Sequence, residues 1–395
     1  MAGRAGKLVM VAPAPVQVAG EGRVRVDAKF LAGMAAHVAC WDGPVEAVLW
    51  QSGSVPFAQE VDPAGLGFGL RLLAPGQDVP DGALTGAQVV LASGDMAATL
   101  DLGRPARAAG AKLVYAVEYT LRTRMDILRL DRSRGPMRKA RSALWLIGQE
   151  RRRRAAFRAA DAVQFNGYPA ERVYGGLVQD SLTYLDGRIS TGLLATAPEV
   201  SEREARIGQG LALRLVHSGR LEAMKGAQDL VPVALALRDA GVPFTLDIFG
   251  AGSLAGEVAQ GIASAGLDDQ VRLHAPVDFE TALVPWMRRN ADLFLSCHRQ
   301  GDPSCSYLEA MGCGLAVLGY DNEMWGRMAG ESGGGWAVPM GQVGQLSAAL
   351  AALQDDRAGL ILAASRALDF ARAHDFETEF RRRMAHLAQV AKAGR

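Results

Sequence analysis

Arg220 and Lys225 stand five residues apart in "GRLEAMKG", between an apolar run, Leu213 to Ser218, and a helical pattern, Ala227 to Ala240. An arginine offers a forked, permanent cation and a lysine a compact one. On a strand-to-helix turn, beside the N–H groups around Lys225-Gly226, the two together could hold a diphosphate. Either residue alone reads as a solvated basic turn. A second candidate anion site lies in "SCHRQGDPSCSYLEAMGCG", Ser296 to Gly314. The preceding "NADLFLS" reads as a buried strand. Asp302 is a good N-cap and Pro303 suits a first helical position. The spacing predicts a short helix over Ser304 to Met311, closed by Gly312 or Gly314. Free N–H groups at its start would face a cleft. Glu309, about two turns along, could accept two ribose hydroxyl hydrogens, or could be an exposed helix glutamate.

Elements that must position these residues follow from periodicity. Lys7 to Ala12, Val45 to Trp50, Ala87 to Ala92, Ala111 to Val117 and Ala162 to Phe165 read as strands. Helices are predicted over Val24 to Ala39 and Met96 to Ala109. Pro198 to Gln209, polar and weakly periodic, reads as a linker. The alternation then restarts with strands at Leu213 to Ser218, Thr245 to Phe249, Val271 to His274, Leu293 to Ser296 and Ala316 to Leu318. Helices follow over Glu280 to Arg289 and Val343 to Leu353, with a last amphipathic, basic one over Glu377 to Lys392. Strands alternating with helices imply two doubly wound, mostly parallel sheets. Ligands of such sheets lie outside the carboxyl ends of the strands.

At 395 residues the chain has room for two domains, and its 49% apolar and 22% charged residues are those of a globular protein. A formal net charge of +1 argues against a nucleic-acid binder. No apolar run reaches spanning length. The start "MAGRAGKLVMVAPAPVQVAG" faintly resembles a signal peptide, but a first strand explains Leu8 to Ala12 better. Cys40, Cys297, Cys305 and Cys313 lack zinc spacing and read as buried free thiols in a reducing compartment.

In the first half, candidates are residues just after strands. Gly20 and Gly22 could allow close approach to a ligand, or form a flexible loop. Glu118 could act as a base for, or a ligand to, an acceptor hydroxyl, or be a surface carboxylate. Tyr119, Arg122 and Asn166 are further ligand-contact candidates, the acceptor contacts of the resemblance given below. From Arg122 to Arg158 the chain is strongly basic, with "RRRR" at Arg151 to Arg154 and Leu144, Trp145 and Ile147 between clusters. Residues 138–158 would suit an anionic membrane surface, or arginines could solvate an ordinary helix.

"FGAGSLAG", Phe249 to Gly256, nearly fits the dinucleotide fingerprint, but it follows the second strand of its unit rather than the first. Together with "GRLEAMKG", "VRLHAPV", "ADLFLSCHRQGDPSCSYLEAMGCGLAVLGY" and "GGGWAVP", it resembles the family 4 glycosyltransferases of GT-B architecture, strongly from about Leu213 to Leu353. The resemblance implies an α/β GT-B fold, with two Rossmann-like doubly wound parallel-sheet domains facing a cleft. An acceptor-binding domain would span 1–197, a linker 198–209 and a nucleotide-sugar domain 210–376, with the helix of 377–395 returning to the first domain. It also implies retaining transfer from a nucleotide-diphosphate sugar to a glycan or lipid-linked acceptor, without metal or other cofactor. The family setting is bacterial surface polysaccharide or glycolipid assembly, at a cytoplasmic site peripheral to the inner face of the membrane.

By resemblance Arg220 and Lys225 match the diphosphate pair, Glu309 the ribose-binding second Glu of E-x7-E, and His274, Pro276 and Val277 the segment beside the base. Gly219, Gly250, Ser304, Cys305 and Ser306 complete the expected donor contacts. The first Glu of E-x7-E is absent: position 301 is Gly301. Either Asp302 reaches the sugar in its place, or backbone N–H groups of Ser304 and Cys305 hold it. No D-x-D occurs anywhere in the chain. Three rivals remain: a nucleotide-sugar epimerase of the same architecture, a dehydrogenase, and an inactive nucleotide-sugar-binding scaffold.

Overall fold

A computed structural model describes residues 5–55, 58–131, 133–301 and 303–393. In unit 1 the strands are β1 (Lys7–Val11), β2 (Val16–Val18), β3 (Val24–Asp27), β4 (Val45–Trp50), β5 (Ala58–Val61), β6 (Gly69–Leu73), β7 (Ala87–Ser93), β8 (Lys112–Val117), β9 (Ala162–Asn166) and β10 (Ser181–Tyr184). Its helices are α1 (Ala28–Cys40), α2 (Gly103–Ala108) and α5 (Tyr168–Tyr174), with α3 (Leu121–Leu130) and α4 (Pro136–Ala159) between. By packing, unit 1 comprises Met1–Leu121, Ser142–Tyr184 and Phe380–Arg395, and unit 2 comprises Arg122–Arg141 and Leu185–Glu379. Most of α3 and the start of α4 therefore count with unit 2.

Seven parallel strands form the main sheet of unit 1, in the order β10-β9-β8-β7-β1-β4-β6. The winding reverses between β1 and β7, so the topological switch point lies there. Leu8, Val9, Val48, Leu49, Val89 and Val90 are fully buried, as expected where helices cover both faces of a parallel sheet. A small antiparallel sheet, β2-β3-β5, adjoins it through a bridge between Val16 and Gln51. It explains one difference from expectation. Residues 24–39 are not one helix: Val24-Arg25-Val26-Asp27 alternates as a strand, and Asp27 then caps α1 by accepting the Phe30 N–H at 3.0 Å. Likewise only Gly103–Ala108 of the expected 96–109 helix is α-helical.

In unit 2 the helices are α6 (Ala197–Gly208), α7 (Ala227–Asp239), α8 (Ala255–Ser264), α9 (Val284–Asn290), α10 (Cys305–Gly312), α11 (Trp325–Ser332), α12 (Val343–Ala352) and α13 (Arg357–Ala373). Its strands are β11 (Leu213–Ser218), β12 (Phe244–Phe249), β13 (Val271–His274), β14 (Leu293–Ser296), β15 (Ala316–Tyr320) and β16 (Gly335–Val338), all parallel, in the order β13-β12-β11-β14-β15-β16. The winding reverses between β11 and β14. Leu215, Leu246, Ile248, Leu293 and Leu318 join Leu230, Val233 and Leu346 of the helices in one apolar core. A last helix, α14 (Phe376–Lys392), counts with unit 1 from Phe380 onward.

The stretch read as a linker is α6. Thr196 and Glu199 form its capping box, and buried Arg203 donates to the carbonyls of Arg288, Ala291, Cys313 and Gly314. Its weak apolar periodicity follows, because one of its two buried residues, beside Ile207, is an arginine satisfied by carbonyls. Of the four cysteines, Cys297 and Cys313 are buried, but Cys40 is exposed and Cys305 half-buried, which corrects the expectation for those two.

Candidate functional site

The carboxyl ends of β11 and β14 bring the first two candidates together at the switch point of unit 2. After Ser218 the chain makes a tight turn at Ala223–Lys225, and Gly226 adopts φ 70°, ψ 24° before α7. A Cβ on Gly226 would lie 1.7 Å from the Cys297 carbonyl oxygen, so only glycine lets this turn sit on the end of β14. The Arg299 N–H donates to the Met224 carbonyl at 3.0 Å. Arg299 also grips Asp229 of α7 through both carboxylate oxygens, at 2.8 and 2.7 Å. The turn is thus fixed twice to the segment after β14. Arg220 is exposed on it, whereas Lys225 is only 7% exposed.

Glycines of "FGAGSLAG" have a local reason. A Cβ on Gly250 would meet the Gly219 carbonyl oxygen at 2.0 Å, and one on Gly252 the Leu221 backbone at 2.5 Å. The turn after β12 therefore packs directly on the turn that carries Arg220. Glu222 joins the two by accepting the Ser253 N–H and hydroxyl at 2.9 and 2.6 Å, and those bonds hold its carboxyl below the usual range.

Two histidines that sequence reasoning passed over lie behind this turn. His217 at the end of β11 is fully buried. Its Nδ1 faces the Leu295 carbonyl at 3.0 Å, and burial lowers its pKa to about 4. His298 is 0% exposed, and among the described residues neither ring nitrogen has a hydrogen-bond partner. Burial first, then the charge of Lys225, keeps it neutral. The signal was available: His298 stands two residues past a strand end, inside the stretch already singled out.

Helix α10 starts at Cys305, one residue later than expected, with Ser304 in the N-cap position. The Ser304 hydroxyl makes no cap bond and lies 3.3 Å from that of Ser306. Asp302, expected as cap and sugar contact, lies outside the described residues. Glu309 is 2% exposed, not the exposed glutamate of the alternative reading, and it accepts from Arg188 Nε at 2.7 Å. Arg188 in turn lies 4.0 Å over the Phe279 ring. Its guanidinium, unforeseen from sequence, takes up one side of the carboxylate expected to meet a ribose. Gly301 abuts the turn after β15, where its Cβ would be 3.0 Å from the Cβ of Glu323. Near the base segment, His274 Nε2 pairs with Asp247 at 2.7 Å and its ring stacks on Phe249 at 4.3 Å, while Pro276 and Val277 are exposed.

In unit 1, Glu118 and Tyr119 follow β8, and their N–H groups donate to Asp95 at 2.9 and 3.2 Å. Asn166 at the end of β9 donates to Glu118 at 3.5 Å. Glu118, Tyr119 and Asp95 line a pocket of about 380 Å³ at the ends of β1, β7 and β8. Arg122 does not join them. It counts with unit 2, where it pairs with Glu323 at 2.8 Å. Gly20 and Gly22 follow β2 rather than the first strand, and a Cβ on either would meet nothing within 4 Å, so no close approach in this unit requires them. Among the described residues no group of three or more His, Cys, Asp or Glu gathers in a way that could hold a metal ion.

The chain is similar to known proteins in sequence over one region and in fold over nearly its whole length. Residues 212–356 match the family described as Glycosyl transferases group 1. Among solved structures, Anabaena Alr3699/HepE in complex with UDP is similar over 97% of this chain and 99% of its own, with a TM-score of 0.65 at 16% identity. Sucrose-phosphate synthase from Thermosynechococcus elongatus gives 97%, 98%, 0.65 and 14% for the same quantities. WaaG, a glycosyltransferase involved in lipopolysaccharide biosynthesis, gives 98%, 100%, 0.61 and 12%. No curated protein matches the chain. The resemblance read from the motifs thus holds: the chain has the GT-B fold, and its residues 212–356 match the group 1 glycosyl transferases.

Proposed function

We propose that the chain is a retaining, metal-independent glycosyltransferase that moves a sugar from a nucleotide-diphosphate donor to a glycan or lipid-linked acceptor. The observation that carries this reading is the turn from Gly219 to Gly226, pinned to the end of β14 by Gly226 and Arg299 with Arg220 and Lys225 upon it. Charge grows on the leaving diphosphate in the transition state. A fixed cation pair, together with the N–H groups opening α10, would stabilise it with little reorganisation. Glu309 keeps one carboxylate oxygen that is not engaged by Arg188, and we assign it to a ribose hydroxyl. Donor binding is assigned to unit 2 and acceptor binding to unit 1, with Glu118 as base or ligand for the acceptor hydroxyl.

The first donor to test is a UDP-sugar, because HepE is known in complex with UDP and with UDP-glucose. A surface pathway is proposed by analogy with WaaG. Membrane contact is supported by α4, where Leu144, Trp145 and Ile147 are 72%, 56% and 42% exposed beside exposed Arg151, Arg152 and Arg158. An apolar patch framed by arginines suits an anionic lipid surface on the inner face of a membrane. No described helix is long and apolar enough to cross one.

The test is turnover of a UDP-sugar panel by wild type, Arg220→Ala and Lys225→Ala, with and without EDTA. Each substitution should lower turnover on the order of 100-fold or more, and EDTA should leave it unchanged. Isomerised donor would make the protein an epimerase. Binding without turnover would make it a scaffold, and rescue of EDTA-treated protein by magnesium would remove the leaving-group argument.

A further inference from the structure

The 380 Å³ pocket of unit 1 sits at the switch point between β1 and β7, and one of its walls comes from the other end of the chain. Arg383, on α14, lines it together with Asp95 and Glu118. Three contacts fix the side chain. Its guanidinium carbon lies 4.1 Å over the Tyr184 ring and 5.9 Å from that of Phe380, and its Nε donates to Gln164 at 3.2 Å. Among the described residues no carboxylate comes within ion-pairing distance of it. The acids in the same pocket are engaged elsewhere: Asp95 accepts the N–H groups of Glu118 and Tyr119, and Glu118 accepts from Asn166.

A guanidinium held over a ring and bonded through Nε still offers its two terminal nitrogens as the planar fork that matches a carboxylate or phosphate. Helix α14 is already tied to β9 without that fork, since Gln164 donates to the Arg383 carbonyl at 3.0 Å. The charge also acts on its surroundings. Buried His37 on α1 is lowered to about 4, by burial first and by Arg383 second.

Resting on the transferase reading above, we propose that Arg383 recognises an anionic group, carboxylate or phosphate, on the acceptor sugar. Glu118 and Tyr119, which line the same pocket, would meet hydroxyls. The preferred acceptor is then an acidic or phosphorylated sugar rather than a neutral one.

The test is side-chain NMR of the Arg383 Nε–H in the full-length protein, assigned with Arg383→Lys, during titration with glucuronate, inorganic phosphate and glucose. At least one anion should shift the signal saturably and bind about tenfold or more tighter than glucose. A shift with glucuronate alone identifies a carboxylate, and one with phosphate alone a phosphate. In Arg383→Gln the anion preference should vanish, while Arg383→Lys should keep part of it and UDP affinity should be unchanged in both. No shift with either anion, or an equal one with glucose, overturns the proposal even if Arg383→Gln fails to fold. UDP binding is read in the same samples, so its loss would count against the donor reading and leave the acceptor result standing.

Discussion

Gly226→Ala tests whether the Arg220–Lys225 turn is as rigidly placed as the structure implies. Two costs are expected, and a control separates them. At φ 70° any Cβ is strained, at about 1 kcal/mol for alanine. Gly241 has φ 69° with nothing within 4 Å of its Cβ position, so Gly241→Ala should show that cost alone. In Gly226→Ala the new methyl group would lie 1.7 Å from the Cys297 carbonyl oxygen and 2.5 Å from its carbon. To reach a non-bonded separation, the turn must move by about 1.5 Å or more. The end of β14 cannot yield instead, because the Leu295 carbonyl faces His217 and Arg299 is clamped to Asp229. Lys225, next in the chain, moves with the turn. A displacement of that size should lower turnover on the order of 100-fold and add a few kcal/mol of destabilisation. Thermal unfolding, UDP calorimetry and turnover on both variants give the comparison. Equal stability losses in the two, with UDP affinity and turnover in Gly226→Ala within a few-fold of wild type, would refute the rigid-turn argument.

Glu309→Gln should weaken UDP binding by about 1–3 kcal/mol, since a charged acceptor of hydroxyls is lost; unchanged affinity in calorimetry would remove the ribose assignment. Replacing Leu144 and Trp145 by Ser, or reversing the charge of Arg151 and Arg158, should reduce co-sedimentation with anionic vesicles at low salt and spare UDP binding. Arg153 is unsuitable for that experiment, because it is buried and bonded to Gly94 and Glu150; failure of wild type to sediment at low salt would end the membrane reading. Acid should destabilise the fold through His37 and His217, both lowered to about 4 by burial. Between pH 6.5 and 4 the unfolded chain binds the extra protons, so stability is full above 6.5 and falls with pH, by roughly 4 kcal/mol at pH 5 for the two together. Urea midpoints that agree at pH 7.5 and pH 5 would contradict this.

The parts of the fold legible in the sequence are those written in local periodicity. Strands β11, β12, β13 and β14 lie where their apolar runs place them, because a parallel strand buried on both faces needs such a run. The turn carrying Arg220 and Lys225 was legible for the same reason: it is punctuation between a strand and a helix. What stayed hidden depends on packing between distant segments. Arg188 meets Glu309 across 121 positions, and Arg383 reaches Gln164 across 219. Neither residue belongs to a pattern of its own. In α6 the local signal pointed the wrong way, because a buried arginine satisfied by four carbonyls reads as a polar linker.

Gly301 shows why a residue-by-residue carry-over of a motif stops short of the site. In the sequence it is a missing carboxylate, and the search for a substitute runs along the chain to Asp302 or to the N–H groups of Ser304 and Cys305. In three dimensions its neighbour is the turn after β15: a Cβ at 301 would stand 3.0 Å from that of Glu323 and 3.2 Å from its amide nitrogen. A larger residue at 301 would therefore press on Glu323, whose carboxylate pairs with Arg122 at 2.8 Å. A glutamate at 301 would also place a second carboxylate on the side chain next to that of Glu323. The neighbour that a side chain at 301 would meet, Glu323, lies 22 residues further on, outside anything the motif records.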